Sequence, residues 1–157
     1  MSPATPCRAA GAGAARAVRD GQLGRLDELI VPLVTAHAPG LLTVYGLGPR
    51  TAALLLIAAG DHPGRLRSEA AWAHLCGVAP IPASSGKVTR HRHGPGGDRR
   101  ANHALWRIVF TRLGSHPATR AYAERRTAEG KSKAEIIRCL KRYAAREVYR
   151  HLRPAAG

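Results

Sequence analysis

The chain has 157 residues, of which 45% are hydrophobic, and it is strongly basic, with 25 Lys and Arg against 10 Asp and Glu. This length allows one core of ordinary size and leaves little room for two complete domains. A net charge of +15 opposes compaction unless a polyanion neutralises it, so nucleic acid is the first partner to consider.

The sequence indicates neither membrane insertion nor secretion. Its longest apolar stretch, from Ala52 to Ala59, is far shorter than the roughly 20 residues that span a bilayer. The N-terminal residues lack the apolar centre of a secretory signal, and we expect a cytoplasmic protein. The three cysteines are widely spaced and form no CxxC pair, so neither a disulfide framework nor a zinc site is predicted.

The N-terminal part is predicted to hold a leader and a connector helix. Residues 1–20 are rich in Ala, Gly and Pro, offer no periodic apolar face, and are expected to be disordered. Over residues 21–39 we predict a connector helix that reaches about His37. Its apolar positions at helical spacing are Leu23, Leu26, Ile30, Leu33 and Val34.

Residues 40–153 are predicted to form one helical domain, which makes the chain all-α with about six helices. Further helices are predicted from Pro49 to Gly60, from Ser68 to Gly77, from the N-cap Asp98 to Gly114, from Pro117 to Gly130, and from Ser132 to Pro154. Ser132 and Glu135 form a capping box, the clearest helix start in the sequence. Prolines make 78–82 extended, and 83–97 is expected to be an irregular loop.

A glycine turn at the start of this domain matches the helix-hairpin-helix pattern. The matching positions are Leu42, Val44, Gly46, Gly48, Ala52 and Leu55. Two glycines permit a tight turn that points backbone N–H groups at a phosphate, and the positive end of the next helix adds to the attraction. Arg50 follows the turn and is placed to reach the same phosphate. The alternative is a turn that only joins two core helices, and the net charge favours the phosphate site.

The predicted loop is densely basic and carries two serines. Its cations, together with those that follow at the next helix, are Lys87, Arg90, Arg92, Arg99 and Arg100, a set that favours contact with a nucleic-acid backbone. A serine beside Gly86 and surrounded by cations can attack a phosphodiester, although a Ser-Gly pair is more commonly a turn. His91 and His93 are interpreted as a solvated pair, because no further metal ligands join them.

Six short blocks occur in order between Leu41 and Leu152. They are GLGPRTA at 46–52, RSEAA at 67–71, LCGVAP at 75–80, SSGK at 84–87, GDRR at 97–100 and GKSK at 130–133. In this order and spacing they resemble the C-terminal transposase domain of the DEDD transposases of bacterial insertion sequences. That group, the IS one-ten family, includes the Piv/MooV invertases and the bridge-RNA-guided recombinases.

The resemblance implies a serine that attacks DNA beside an N-terminal RuvC-like domain, whose four acidic residues hold Mg²⁺. This serine corresponds to Ser85, with Ser84 as the adjacent alternative. Upstream of Leu23 nothing in the sequence can form such an acidic domain, so we expect no metal site or cofactor in this chain itself. We therefore interpret it as a truncated or decayed copy, a domain fragment or one piece of a split product, and whether it is an enzyme stays open.

The expected function is that of a DNA-binding C-terminal domain of an insertion-sequence transposase, unable to catalyse transposition alone. The partners implied are DNA, a guide RNA if one is used, and a second copy or a separate RuvC-like domain. The alternative is a non-enzymatic helix-hairpin-helix module in which Ser85 is only a turn residue. An RNA-binding accessory protein ranks third, because seven scattered aromatic residues do not suggest a base-stacking platform.

Overall fold

The computed structural model describes residues 7–60, 66–85, 88–93 and 96–152. In chain order its elements are α1 (Cys7–His37), a 3₁₀ helix (Pro39–Thr43), α2 (Pro49–Ala59), α3 (Glu69–Leu75), β1 (Pro80–Ser85), β2 (Val88–His93), α4 (Arg99–Ser115), α5 (Pro117–Ala128) and α6 (Lys133–Leu152). The prediction of an all-α class with about six helices is confirmed. One small two-stranded sheet is an addition to it.

The N-terminal helix is longer than the predicted connector. It begins at Cys7, so residues 7–20, expected to be a disordered leader, are helical, whereas residues 1–6 lie outside the described part. Ala and Arg favour the helical backbone without any packing, and side chains 13–22 are indeed exposed. Among residues 13–37 of α1, Val34 is buried in the core and Ile30 packs against it, while Leu26 and Leu33 of the predicted apolar stripe are exposed.

The core is built around α4. This helix packs against α2, α5 and α6, while α1 packs on α2 and α3 packs on α6. The largest fully buried side chains of the core include Trp72, Leu41, Leu55, Leu105 and Ile108. The Trp72 indole N–H donates to the carbonyl of Ala145 at 3.1 Å, so the ring is buried without an unsatisfied donor.

The helix starts follow their capping residues. In the predicted capping box, Ser132 N–H donates to Glu135 Oε2 at 2.9 Å, and that hydrogen bond lowers the pKa of Glu135. The predicted N-cap Asp98 accepts from the N–H groups of Arg100 at 2.7 Å and Ala101 at 3.0 Å. Pro117 begins α5, again as predicted. These signals lie within a few residues of one another, which is why sequence alone reveals them.

The prediction of an irregular loop over 83–97 is wrong for most of that range. Strands β1 and β2 pair antiparallel, with Pro80 opposite His93, Ser84 opposite Thr89 and Ser85 opposite Val88. A two-residue connection containing Gly86 is typical of a tight hairpin, and this spacing is the signal that the sequence offered. Residues 86–87 and 94–95 lie outside the described part. We call residues 80–93 the hairpin arm.

Candidate nucleic-acid interface

The first glycine of the predicted phosphate-binding turn serves packing. Gly46 has a φ of +79°, a conformation that side chains rarely adopt. A Cβ at this position would lie 3.3 Å from the carbonyl oxygen of Ile108 in α4. Gly46 therefore lets the turn approach the backbone of α4, and this requirement needs no ligand.

The second glycine leaves an open helix end. Gly48 is the N-cap of α2, no side chain caps this terminus, and a Cβ at Gly48 would meet nothing within 4 Å. The positive end of α2 therefore lacks a side-chain cap at an exposed residue, although Thr51 in its first turn is buried. The element before the turn is a five-residue 3₁₀ helix, so the motif is a shortened relative of the predicted helix-hairpin-helix.

Arg50 binds another part of the chain. Its guanidinium donates to both carboxylate oxygens of Asp27 in α1, at 2.7 and 2.9 Å. The hydrogen bond from Arg50 lowers the pKa of Asp27, and the same bond raises that of Arg50. The role predicted for Arg50 on a phosphate therefore competes with an existing ion pair.

The hairpin arm is anchored where α3 ends and α4 begins. Asp98 N–H donates to the carbonyl of Leu75 at 2.6 Å, which ties the chain leaving the arm to the chain entering it. Gly97 lies against the backbone of Gly77, too close for any Cβ to fit between them. Two fixed ends therefore set where the arm leaves the helical body.

A part-buried polar network supports this anchor. Asn102 Nδ2 donates to the carbonyl of Cys76 at 2.8 Å, and Asn102 Oδ1 accepts from the Lys141 ammonium at 2.9 Å. Lys141 is only 8% exposed, and burial followed by the nearby charge of Arg138 lowers its pKa. Burial also raises the pKa of the Cys76 thiol to about 12, with Asp98 adding to the shift, so this thiol is unreactive.

The strand register separates the two candidate serines. Successive residues of a strand belong to opposite faces, and residues paired across strands belong to the same face. Because Ala83 pairs with Arg90 and Ile81 with Arg92, Ser85 belongs to the arginine face of the arm. Ser84 pairs with Thr89 and belongs to the opposite face, together with His91 and His93. The predicted contact Lys87 lies outside the described residues.

Arg99 and Arg100 occupy the first turn of α4 and are exposed. Cations at the positive end of a helix dipole are unfavourable, and no acidic residue lies in this first turn. The carboxylate of Asp98, just before it, is engaged by backbone N–H groups. Stability of the helix therefore does not account for this pair of arginines, whereas an anionic ligand at the base of the arm does.

An exposed row of rings on α4 was not predicted from the sequence. His103 stacks on Trp106 with ring centroids 5.5 Å apart, and Trp106 stacks on Phe110 at 5.2 Å. We call these three residues the aromatic strip. Two of the seven scattered aromatic residues are thus neighbours on one helix, because positions 103, 106 and 110 recur at helical spacing on one face.

The predicted contacts do not form one cluster. The hairpin arm leaves at the N-terminal end of α4, whereas the glycine turn packs near Ile108 and Arg112 further along it. From Arg99 to Ile108 the helix rises about 14 Å at 1.5 Å per residue. An extended ligand such as a nucleic-acid strand is long enough to reach both.

The acidic residues that the structure describes do not suit a Mg²⁺ ion. Within 7–60, 66–85, 88–93 and 96–152, no three His, Cys, Asp or Glu side chains come together as metal ligands. Asp27 is bound to Arg50, and Glu69 is bound to Arg142 and Arg146. No catalytic step through a metal ion is derived from these residues.

Taken together, these features define a basic, mainly helical domain with an anchored hairpin arm, and none of its described helices is long and apolar enough to cross a membrane. Residues 38–124 match the model of the Transposase IS116/IS110/IS902 family, and the chain belongs to this family. The match includes the glycine turn, the arm and the whole of α4.

Two relatives from insertion elements are similar over most of the chain. The 43.6 kDa protein of insertion element IS110 of Streptomyces coelicolor is 34% identical over 131 residues, which are 82% of this chain and 32% of that protein. The 42 kDa protein of IS900 of Mycobacterium paratuberculosis is 27% identical over 140 residues, 87% of this chain and 35% of that protein. The chain thus spans about a third of the length of these curated relatives.

Proposed function

We propose that this chain is the DNA-binding C-terminal domain of an insertion-sequence transposase, and that Ser85 is its nucleophile. One observation carries the proposal. The register puts Ser85 at the end of β1, on the same face of an anchored arm as Arg90 and Arg92. A nucleophile needs a fixed approach to the phosphorus atom. The pairing of Ser85 with Val88 holds its backbone in a two-stranded sheet whose base is tied to the helical body.

The chemistry assigned to Ser85 is attack on a DNA phosphodiester. Ser85 Oγ forms a bond to phosphorus, the bond from phosphorus to the leaving sugar oxygen breaks, and that oxygen gains a proton as the serine loses one. The guanidinium groups of Arg90 and Arg92 stabilise negative charge on the non-bridging oxygens. Ser84 is the alternative nucleophile, on the face without arginines.

Binding to the DNA backbone rests on charge and on open donors. The net charge is +15, and Arg99 and Arg100 stand exposed at the base of the arm. The uncapped N-terminus of α2 at Gly48 adds backbone N–H groups that suit a phosphate. These contacts bind the DNA backbone and do not distinguish one base sequence from another.

A second protein component completes the active site in this proposal. The described carboxylates do not group into a metal site, and the resemblance implies an RuvC-like domain with four acidic residues and Mg²⁺. That domain supplies the metal chemistry, from another chain or from another part of a longer one. Binding of a guide RNA and association with a second copy of the chain stay predictions.

Binding is tested by titrating duplex DNA across a salt series. In the variant with Ala at Arg90, Arg92, Arg99 and Arg100, we expect the slope of log K against log salt to become shallower by about 0.9 for each phosphate that is no longer neutralised. The matched control replaces four exposed arginines elsewhere, Arg16, Arg19, Arg120 and Arg138. Equal slopes for the wild-type chain and the arm variant would remove the arm from the interface.

Catalysis is tested by complementation. The chain is combined with the RuvC-like part of a full-length relative, and strand exchange is measured for Ser85→Ala and Ser84→Ala. We expect Ser85→Ala to abolish exchange with DNA affinity unchanged, and Ser84→Ala to retain it. Exchange by Ser85→Ala at the wild-type rate would remove Ser85 from the mechanism, and loss of exchange in Ser84→Ala would then make Ser84 the nucleophile. No exchange by the complemented wild-type chain would favour the alternative, a non-enzymatic module that binds backbone through the glycine turn, and the open Gly48 terminus is the observation in its favour.

A further inference from the structure

The aromatic strip continues a line of exposed residues that starts at the base of the hairpin arm. Arg99, His103, Trp106 and Phe110 are spaced by four, three and four residues, which places them along one side of α4. The opposite side carries Ala101, Leu105 and Ile108 and is fully buried. The strip therefore runs outward along the helical body from the first-turn arginines.

The fold does not explain why two of these residues are large and aromatic. Trp106 is 38% exposed and Phe110 is 64% exposed, and neither belongs to the core cluster or to the hydrophobic residues packed against it. Keeping so much apolar surface in water is unfavourable. A contiguous exposed apolar patch with a polar rim indicates a binding surface.

The geometry of the rings suits stacking. Trp106 lies at 19° to His103 and at 21° to Phe110, so the three rings are nearly parallel. Centroid separations above 5 Å between parallel rings mean an offset stack, in which each ring leaves part of its face uncovered. A planar group can add to the ends of this stack or lie against the uncovered faces.

The surrounding charge identifies the kind of planar group. No Asp or Glu occurs between Arg99 and Ser115, and Arg99, Arg100 and Arg107 are exposed along this helix. Aromatic faces interleaved with cations are typical of sites for single-stranded nucleic acid, where bases stack and phosphates are neutralised.

We propose that the aromatic strip binds the bases of unpaired DNA, while Arg99 and Arg107 hold the adjoining phosphates. The site takes single strands because the base faces of a duplex are covered by their neighbours. This inference rests on the proposed function, since a strand cut at the arm has to be separated from its partner and held. The strip begins about one helical turn from Arg99, where such a strand leaves the arm.

The test compares single-stranded and duplex DNA on the full chain. Labelled oligothymidine and a duplex of equal length are titrated against the wild-type chain, Trp106→Leu/Phe110→Leu, and Trp106→Phe. Leucine keeps apolar area and removes the aromatic face, so the double variant is expected to bind oligothymidine about ten-fold or more weakly. Its duplex affinity changes by less than about two-fold, because backbone contacts are retained. Tyr143→Leu, which removes an exposed ring from α6, is the matched control.

Tryptophan fluorescence supplies a second readout. Trp72 is fully buried, so quenching by added oligothymidine reports on Trp106. Trp106→Phe is expected to bind normally and to lose the quenching. Oligouridine of the same length is titrated in parallel. Unchanged oligothymidine affinity in the double leucine variant overturns the inference, and a weakening confined to oligouridine would assign the strip to RNA. Absence of duplex binding by the wild-type chain would instead overturn the proposed function.

Discussion

Lys141 and Asn102 join α4 and α6 through a part-buried hydrogen bond. The ammonium donates to Asn102 Oδ1 at 2.9 Å, and the Asn102 amide donates onward to the carbonyl of Cys76 at the base of the hairpin arm. A buried ammonium is tolerated only while its donors are satisfied. The stability of the core and the position of the arm therefore depend on the same side chain.

Replacing Asn102 tests this dependence. Asn102→Leu leaves the Lys141 ammonium and the Cys76 carbonyl without these partners, and the free energy of unfolding is expected to fall by about 1.5–3 kcal/mol. Urea denaturation followed by circular dichroism measures the decrease. Adding Lys141→Met to Asn102→Leu removes the lone charge and should restore part of the stability. A double variant less stable than either single variant would show that the two residues do not act as a pair.

The contact between Gly97 and Gly77 predicts a position-specific effect of one methyl group. A Cβ at Gly97 would overlap the backbone of Gly77, whereas a Cβ at Gly96 would meet nothing within 4 Å. Overpacking of this kind costs about 1–3 kcal/mol, so Gly97→Ala is expected to lower the melting temperature measurably. Gly96→Ala is the adjacent control and should leave it unchanged or slightly raised. Equal melting temperatures for the two variants would contradict the close approach.

The link between α3 and α6 predicts a dependence of stability on pH. Burial raises the pKa of Glu69. The hydrogen bond and charge of Arg142, together with those of Arg146, outweigh this effect and bring the pKa below its ordinary 4.5. Because the pKa is lower in the folded state, this stabilisation is present above pH 4.5 and disappears as the pH falls through the folded pKa.

Glu69→Gln checks that direction. The pair is partly exposed and screened by solvent, so the variant should be less stable by about 0.2–1 kcal/mol at pH 7. The difference from wild type should disappear below the folded pKa, in urea denaturation repeated at acid pH. Glu124→Gln, at an exposed position of α5, controls for the removal of one negative charge. A difference that persists undiminished in acid would mean that ionised Glu69 is not its source.

The helices could be predicted because their signals are local in the sequence. Contacts between distant residues could not be predicted. Ser132 and Glu135 lie three residues apart, so the sequence contains the whole capping interaction. The partners Arg50 and Asp27 lie 23 residues apart on different helices, and nothing in either segment announces the other. An arginine that the sequence suggests is free is therefore bound in the fold.

The hairpin arm and the aromatic strip were missed for different reasons. The strands lack an alternating apolar pattern, and only the two-residue connection pointed to pairing. Trp106 and Phe110 lie on a helix that was predicted, and its buried side includes Leu105 and Ile108. The periodicity of apolar residues identifies the buried side of a helix, and it gives no information about rings on the exposed side.

The two glycines of the turn are predicted to respond differently to alanine. Gly46→Ala forces an L side chain into a φ of +79° and brings its Cβ against the carbonyl of Ile108, so it should destabilise the fold by about 1 kcal/mol or more. Gly48→Ala meets open space at an ordinary φ of −83° and should leave stability nearly unchanged. Its methyl group stands beside the open end of α2, where it hinders a phosphate that approaches the amides.

Thermal unfolding and duplex binding, measured on both variants, separate packing from ligand binding. If the turn binds phosphate, Gly48→Ala weakens duplex affinity with its melting temperature intact, and the salt dependence becomes shallower because one phosphate is no longer held. If Gly48→Ala binds as tightly as wild type, the turn only joins the 3₁₀ helix to α2. The contacts to DNA would then be confined to the arm and to α4, and Arg50 would keep its bond to Asp27 in the bound state.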